Sequence, residues 1–447
     1  MRSFSSRPPA ITSARSSCWH ASCGAHPTKV RSPKSWSGRW SAPATWPRWW
    51  PRRGAATTRS CWRSSTPTPS TPTTRLTASS TLKRTPLYDR HVSLGGRMVD
   101  FGGWEMPQQY TSIRDEHFAV RKSAALFDVS HMGRFRIAGD ASLDFLQHVV
   151  TNDIAALAHG QAQYNLLCNE AGGIIDDLVV YRGSEGFFVV VNASNRERDL
   201  AWLREHALAG VEIEDRTFEL GLLAYQGPRA EELLPAEGLH DLPYFGFRGG
   251  DVAGVHALVS RTGYTGEDGF ELFISSDRVA EVWDAILERG QSAGVLPAGL
   301  GARDATRLEA ALRLWGNDMD ESVNPYEAGL GWTVKLGKGV FVGSEALQQI
   351  KAAGPRRTLI GLKTEPGNIA RHGAGVVSDG KRVGLITSGT HSFFLGYPIA
   401  LAMVEAGTFR IGDRVAVELR GREAQAEVVK LPFYRGSARS AASPTKP

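Results

Sequence analysis

Residues 174–181 form an apolar run interrupted only by two adjacent polar positions, 176 and 177, just after a Gly172-Gly173 pair, and a hairpin partner begins at Tyr164. A run of this length after a turn predicts a strand, and because side chains alternate along a strand, 175, 177, 179 and 181 share one face and 174, 176, 178 and 180 the other. Shorter apolar runs at 187–191 and 271–274 are further strand candidates. Val279, Val282, Trp283, Ile286 and Leu287 instead recur at helical spacing, with Asp277 as the expected N-cap and Gly290 just past the end. Strands and amphipathic helices mixed in this way indicate an α+β fold rather than a regular βαβ array. After about Lys351 the texture changes to short strands at 359–362, 374–377, 383–387, 399–404 and 415–419, separated by Gly- and Asp-containing turns. That spacing predicts a small β-barrel or sandwich as a separate C-terminal domain, 351–447, behind an 81–350 region of two α+β domains.

Composition alters this picture at one end. Residues 1–80 hold 13 Lys or Arg and no acid, leaving 39 basic and 46 acidic residues in the rest, a net of −7. The overall formal charge of +6 is therefore no sign of a nucleic-acid surface. The same segment carries Cys18, Cys23, Cys61 and seven of the 12 tryptophans, and shows no sustained hydrophobic period. Such a composition buries too little surface to offset chain entropy. It is expected to be a disordered extension outside the fold, read from too early a start codon; an organellar targeting segment or a functional tail are the alternatives. Only Cys168 remains in the body, which fits a reducing compartment, and no apolar run reaches the ~18–20 residues of a membrane span. The expected location is cytoplasmic, or mitochondrial if the first 80 residues are a targeting segment.

The chemistry is carried by polar residues in apolar surroundings. Asp176 and Asp177 sit inside the predicted strand, where Asp is depleted and an unpaired buried carboxylate costs on the order of several kcal/mol. Taken alone, the run fits a ligand- or partner-bound acid and a pair of edge-strand acids facing water equally well. Four other segments stand out: 98–107, then 127–133, the Gly-rich turn and strand of 260–272, and Pro297-Ala298-Gly299-Leu300-Gly301-Ala302-Arg303-Asp304 at a helix entry. No glycine run has the context of a nucleotide loop. His131 lacks a Ser or Cys partner and reads as structural. Singly, Glu271 reads as a strand-end salt bridge and Arg303 as a helix-terminus ion pair.

Together these segments resemble the T-protein of the glycine cleavage system, the tetrahydrofolate-dependent aminomethyltransferase. Arg84-Thr85-Pro86-Leu87-Tyr88, the Trp104 and His131 segments, the Asp-Asp strand, 261–272, 299–304 and Pro432-Phe433-Tyr434-Arg435 match in order and spacing over roughly 82–437. Phe393-Phe394 departs from the pattern as a loop variation. The resemblance implies three domains around a central folate site, and transfer of a methylene group from aminomethyl-lipoyl H-protein to tetrahydrofolate. The products are 5,10-methylenetetrahydrofolate, ammonia and dihydrolipoyl H-protein. It implies Asp177 as catalytic, Asp176 as structural, and Glu271, Arg303, Tyr164, Tyr181, Met132 and Tyr434 as folate-binding. Tetrahydrofolate is then an acceptor substrate, with no metal, flavin or nucleotide. The partner is lipoylated H-protein, functionally linked to P-protein and L-protein, with no nucleic acid or membrane involved. A folate-dependent demethylase of the same fold and a non-enzymatic folate-binding protein supporting iron–sulfur assembly are the rival readings.

Overall fold

The computed structural model describes residues 82–438; the expectation for the first 80 residues lies outside them. Strands Gln161–Cys168, Ile174–Gly183, Gly186–Val191, Gly133–Ala138 and Glu212–Asp215 form an antiparallel sheet in that order. The acid-bearing Ile174–Gly183 strand is interior, paired on both sides, so the edge-strand alternative falls. A second sheet runs Phe247–Val252, Val255–Ser260, Gly269–Ser275, Leu220–Gln226, Ala125–Asp128 and Leu296–Pro297, which makes Gly269–Ser275 interior as well. A small three-stranded sheet is built from Lys83–Arg84, Trp104–Pro107 and Met98–Phe101. Among the described residues no helix is long and apolar enough to cross a membrane.

The alternation of the acid-bearing strand holds with one local exception. Cys168 pairs Ile174 and Leu167 pairs Asp176, so Ile175 is an extra residue at a bulge. Ile175 consequently joins Leu178 and Val180 in a core with helix Ser142–Val149, while Ile174 packs with Leu166 and Tyr164 in another. The parity expected at 174 and 175 is thus exchanged. From Asp176 onward it is as expected: Val179 and Tyr181 face the second sheet. There Tyr181 and Phe188 meet Phe273 edge to face, at 5.5 and 5.3 Å between ring centroids. Such pairs add about 0.5–1.5 kcal/mol each beyond their buried area, and they lock the two sheets in register where the candidate residues emerge.

The predicted helix runs Val279–Gly290 with Val279, Val282, Trp283 and Ile286 buried. Its ends differ from expectation. Arg278 occupies the N-cap with no side-chain cap, Asp277 instead accepts from Ser275 Oγ, and Gly290 is the last helical residue at φ −85°. The left-handed turn comes after a following 3-10 turn, at Gly294 (φ 77°), where glycine is the favoured residue.

The C-terminal strands close into a barrel in the order Arg357–Thr364, Tyr397–Glu405, Lys381–Ser392, Gly375–Ser378, Arg414–Leu419 and Arg422–Val429. The last strand escaped the sequence reading because its inward positions are Ala424, Ala426 and Val428, too small to give a strong alternating signal. Helix Leu300–Glu309 bridges to the barrel through Arg307, which donates to Asp318 at 2.7 Å and to Ser388 Oγ at 2.8 Å. Arg121, on helix Ile113–Lys122, donates to Glu309 and to Glu267 within full burial. Breaking such a buried pair by removing one partner costs about 3–5 kcal/mol, so these two arginines fix the helices that frame the site.

Candidate active site

Asp177 leaves the strand beside two donors that the sheet itself brings up. It opposes Leu166, and Tyr164 lies two residues along on the same face; the Tyr164 hydroxyl donates to Asp177 Oδ2 at 2.9 Å. On the other side Leu178 opposes Val191, so Asn192, one step past that strand, lies next to Asp177. Its Nδ2 donates to Asp177 Oδ1 at 2.7 Å. Burial and the neighbouring Asp176 carboxylate push the Asp177 carboxyl up to about 7, against the two hydrogen bonds that favour its anion. A carboxyl poised between its two forms at neutral pH suits proton exchange.

Asp176 is fully buried and accepts from the Asn192 backbone N–H at 3.1 Å, from Asn192 Nδ2 at 2.8 Å and from Asn195 Nδ2 at 2.7 Å. The two acids leave opposite faces, yet one amide group holds both. They are therefore not independent.

Glu271 is built by a parallel device on the second sheet. Ser260 opposes it, and Thr262, two residues on, donates to Glu271 Oε2; the Tyr181 hydroxyl is 3.4 Å from the same oxygen. The other carboxylate oxygen accepts from no side-chain donor among the described residues. Arg303 is half-buried with its guanidinium 4.7 Å over the Tyr264 ring, and it has no ion pair among the described residues. Burial holds its pKa below the ordinary value, while Tyr264 and Glu271 favour the cation. Tyr264 also feels Asp177 and is shifted up chiefly by burial. Asp177, Tyr164, Tyr264, Arg303, Glu271 and Tyr181 thus form one electrostatically connected set.

Met132 is half-buried against the core that holds Tyr181 and Val179. Tyr434 belongs to the adjoining ion network: Arg121 lies 4.3 Å over its ring, and burial with Glu267 pushes its hydroxyl up to about 12. It lines an open cleft of about 400 Å³ together with Tyr244, Thr262 and Arg435; Thr262 connects that cleft to Glu271. His131 is fully buried, its Nδ1 has no hydrogen-bond partner among the described residues, and burial pulls its pKa down to about 3. No group of His, Cys, Asp or Glu among the described residues has the arrangement of a metal site.

Comparison with known proteins gives the family. Residues 87–338 match the model of the GCVT N-terminal domain, and residues 357–435 that of the glycine cleavage T-protein C-terminal barrel domain. The chain belongs to the glycine cleavage T-protein family. Within it, an aminomethyltransferase of Thermotoga neapolitana is 50% identical over 363 residues, covering 80% of this chain and 99% of that protein. An aminomethyltransferase of Bacillus subtilis is 45% identical over 360 residues, covering 79% and 99%. The crystal structure of glycine cleavage system aminomethyltransferase T from Bartonella henselae superposes with a TM-score of 0.74 at 34% identity, covering 80% of this chain and all of that one. The α+β fold with a terminal barrel is the fold of that T-protein.

Several residues that the sequence reading passed over belong to the set. Thr262 and Tyr264 lie inside the 260–272 segment that stood out in sequence, but their contacts with Glu271 and Arg303 appear only in the fold. Asn192 ends an apolar run, a position that sequence alone reads as a strand terminus. Trp332 stacks on Tyr164 at 5.9 Å yet is 59% exposed, and only the fold places it there.

Proposed function

We propose that this chain is the aminomethyltransferase of a glycine cleavage system. It moves the methylene carbon of an aminomethyl group on lipoylated H-protein to tetrahydrofolate. The carbon–sulfur and carbon–nitrogen bonds of the arm break as carbon bonds to two folate nitrogens. The two hydrogens released by those nitrogens leave with sulfur and with ammonia. The observation that carries this reading is Asp177, a carboxylate near neutrality between Tyr164 and Asn192. As the anion it accepts a hydrogen bond from the attacking amine and favours cationic iminium character as ammonia leaves.

Glu271, held by Thr262 on one oxygen, is the pterin reader, its carboxylate accepting from the ring N–H and the exocyclic amine. Arg303 contacts the folate as its cation, Tyr164, Tyr181 and Met132 wall the pocket, and Tyr434 bounds it on the cleft side. In this reading residues 81–350 carry the folate site, 351–447 form the barrel domain and tail, and the enzyme works in the cytoplasm beside P-protein and L-protein. The test is incubation with tetrahydrofolate and aminomethylated H-protein, with release of ammonia expected only when both are present. Ammonia release at the same rate without folate would remove the acceptor role.

A further inference from the structure

Asp199 sits in the first turns of helix Arg196–Glu205, is fully buried, and receives no N–H or O–H on either carboxyl oxygen among the described residues. An ionised carboxylate without donors is the costliest state a buried acid can have. Asn195, one helical turn earlier, accepts the Asp199 backbone N–H at 2.8 Å and donates its Nδ2 to Asp176 at 2.7 Å, which brings Asp199 beside the Asp176 carboxyl, itself fully buried and already holding three amide N–H groups. With Asp177 adjoining, three acids would place three negative charges in one interior volume.

The charged groups facing Asp199 are Asp176 and Asp177 from the Ile174–Gly183 strand and Arg198 from its own helix. Arg198 offers little neutralisation. Its Nε lies 3.9 Å from Asp199 Oδ1, whereas its terminal nitrogens donate to Glu321 at 2.8 Å and to the Ile175 carbonyl. Its plane rests 4.6 Å over the Trp315 ring. The helix start favours an anion only weakly beside a fixed one in contact. A proton on Asp199 resolves the arrangement, since a carboxylic acid is an O–H donor and Asp176 is its acceptor. The Asn192 Nδ2 group then spends one hydrogen on Asp176, at 2.8 Å, and its second on Asp177, at 2.7 Å.

Resting on the transfer reading above, we propose that Asp199 is a positioning residue. As a neutral acid it donates to Asp176, which anchors the Asn192 amide so that one oxygen of Asp177 is fixed and the other is left to Tyr164. Burial and the Asp176 charge push the Asp199 carboxyl well up, in the same sense.

The experiment compares the full chain with Asp199→Asn and Asp199→Ala. Asparagine keeps an N–H donor toward Asp176 and adds no charge; alanine removes the donor. Asp199→Asn should hold kcat within about twofold and leave the acid limb of the pH–rate profile in place. Asp199→Ala should lower kcat about tenfold with the KM for tetrahydrofolate nearly unchanged, and should displace that limb. Two readouts stand apart from activity. An infrared carboxylic-acid band should be present in the wild type at pH 9, where Asp177 is ionised, and absent at that pH in Asp199→Asn. The urea midpoint of Asp199→Asn should gain on the wild type as pH rises from 5 to 9, because native Asp199 keeps a proton that the unfolded chain releases. If Asp199→Ala does not fold, the Asn arm still decides. A wild type with no such band, or an Asp199→Asn variant that loses kcat tenfold, overturns the proposal. A wild type that shows the band but transfers no carbon defeats the transfer reading instead.

Discussion

Replacing Asp177 by Asn should move activity and stability in opposite directions. The substitution keeps shape but removes the charge and one acceptor, leaving either Tyr164 or Asn192 facing an amide N–H instead of an oxygen. That mismatch costs about 1 kcal/mol. Against it stands the charge itself. The carboxyl is raised from 3.8 to about 7 by burial and by Asp176. At 1.36 kcal/mol per unit, carrying the native anion costs roughly 4 kcal/mol above pH 7, reduced to about 2–3 because the group is half-buried and partly screened. The sign follows from linkage. A carboxyl raised on folding binds more protons in the native state, so its contribution to stability is greatest below pH 4 and is lost as pH rises through 7. Asp177→Asn lacks that loss. Its urea midpoint should equal or fall below the wild type near pH 4, exceed it above pH 7, and level off there. Turnover should fall by about 10²-fold or more, equivalent to roughly 2.7 kcal/mol of transition-state stabilisation, with folate affinity largely kept. Urea titrations at several pH values and steady-state kinetics on the same preparations check both halves. A variant that turns over within fivefold of the wild type, or loses more stability at pH 8 than at pH 5, would refute the reasoning.

If Asp177 reacts as its anion, as proposed, wild-type turnover should decline as pH falls below about 7, and a pH–rate profile locates that limb. Tyr164→Phe removes a hydrogen bond that favours the anion, so the same profile should shift to higher pH with a lower rate at pH 7. Glu271→Gln turns one acceptor oxygen into a donor opposite a pterin N–H and should weaken tetrahydrofolate binding by about 2–3 kcal/mol; unchanged affinity by calorimetry would take Glu271 out of the pocket. A chain starting near Thr81 should match the full chain in rate and thermal midpoint, and failure to fold would mean that the first 80 residues belong to a domain.

Much of this molecule was legible in its sequence, for reasons that differ by feature. The family and the α+β fold with its terminal barrel followed from long segments in fixed order, and the comparisons agree. The acid-bearing strand showed itself because two carboxylates interrupt an otherwise apolar period. What stayed hidden depends on contacts between distant elements. The exchange of Ile174 and Ile175 comes from a bulge against Cys168, which no one-strand pattern contains. The sharing of Asn192 by both acids needs the register of a neighbouring strand, so their opposite facing does not make Asp176 and Asp177 independent. Asp199 reads in sequence as an ordinary helix-start acid and acquires meaning only when Asp176 is packed against it. The N-cap expected at Asp277 failed because Ser275 offered that side chain a nearer partner.

The central claim is that carbon passes from an aminomethyl arm to folate at this site. It is tested most directly by one turnover with H-protein carrying a carbon-13 aminomethyl group, in the presence of unlabelled tetrahydrofolate, read by carbon NMR. The account expects the label in the methylene bridge between the two folate nitrogens, with one ammonia released per label transferred. Label remaining on the H-protein while folate binds normally would contradict it.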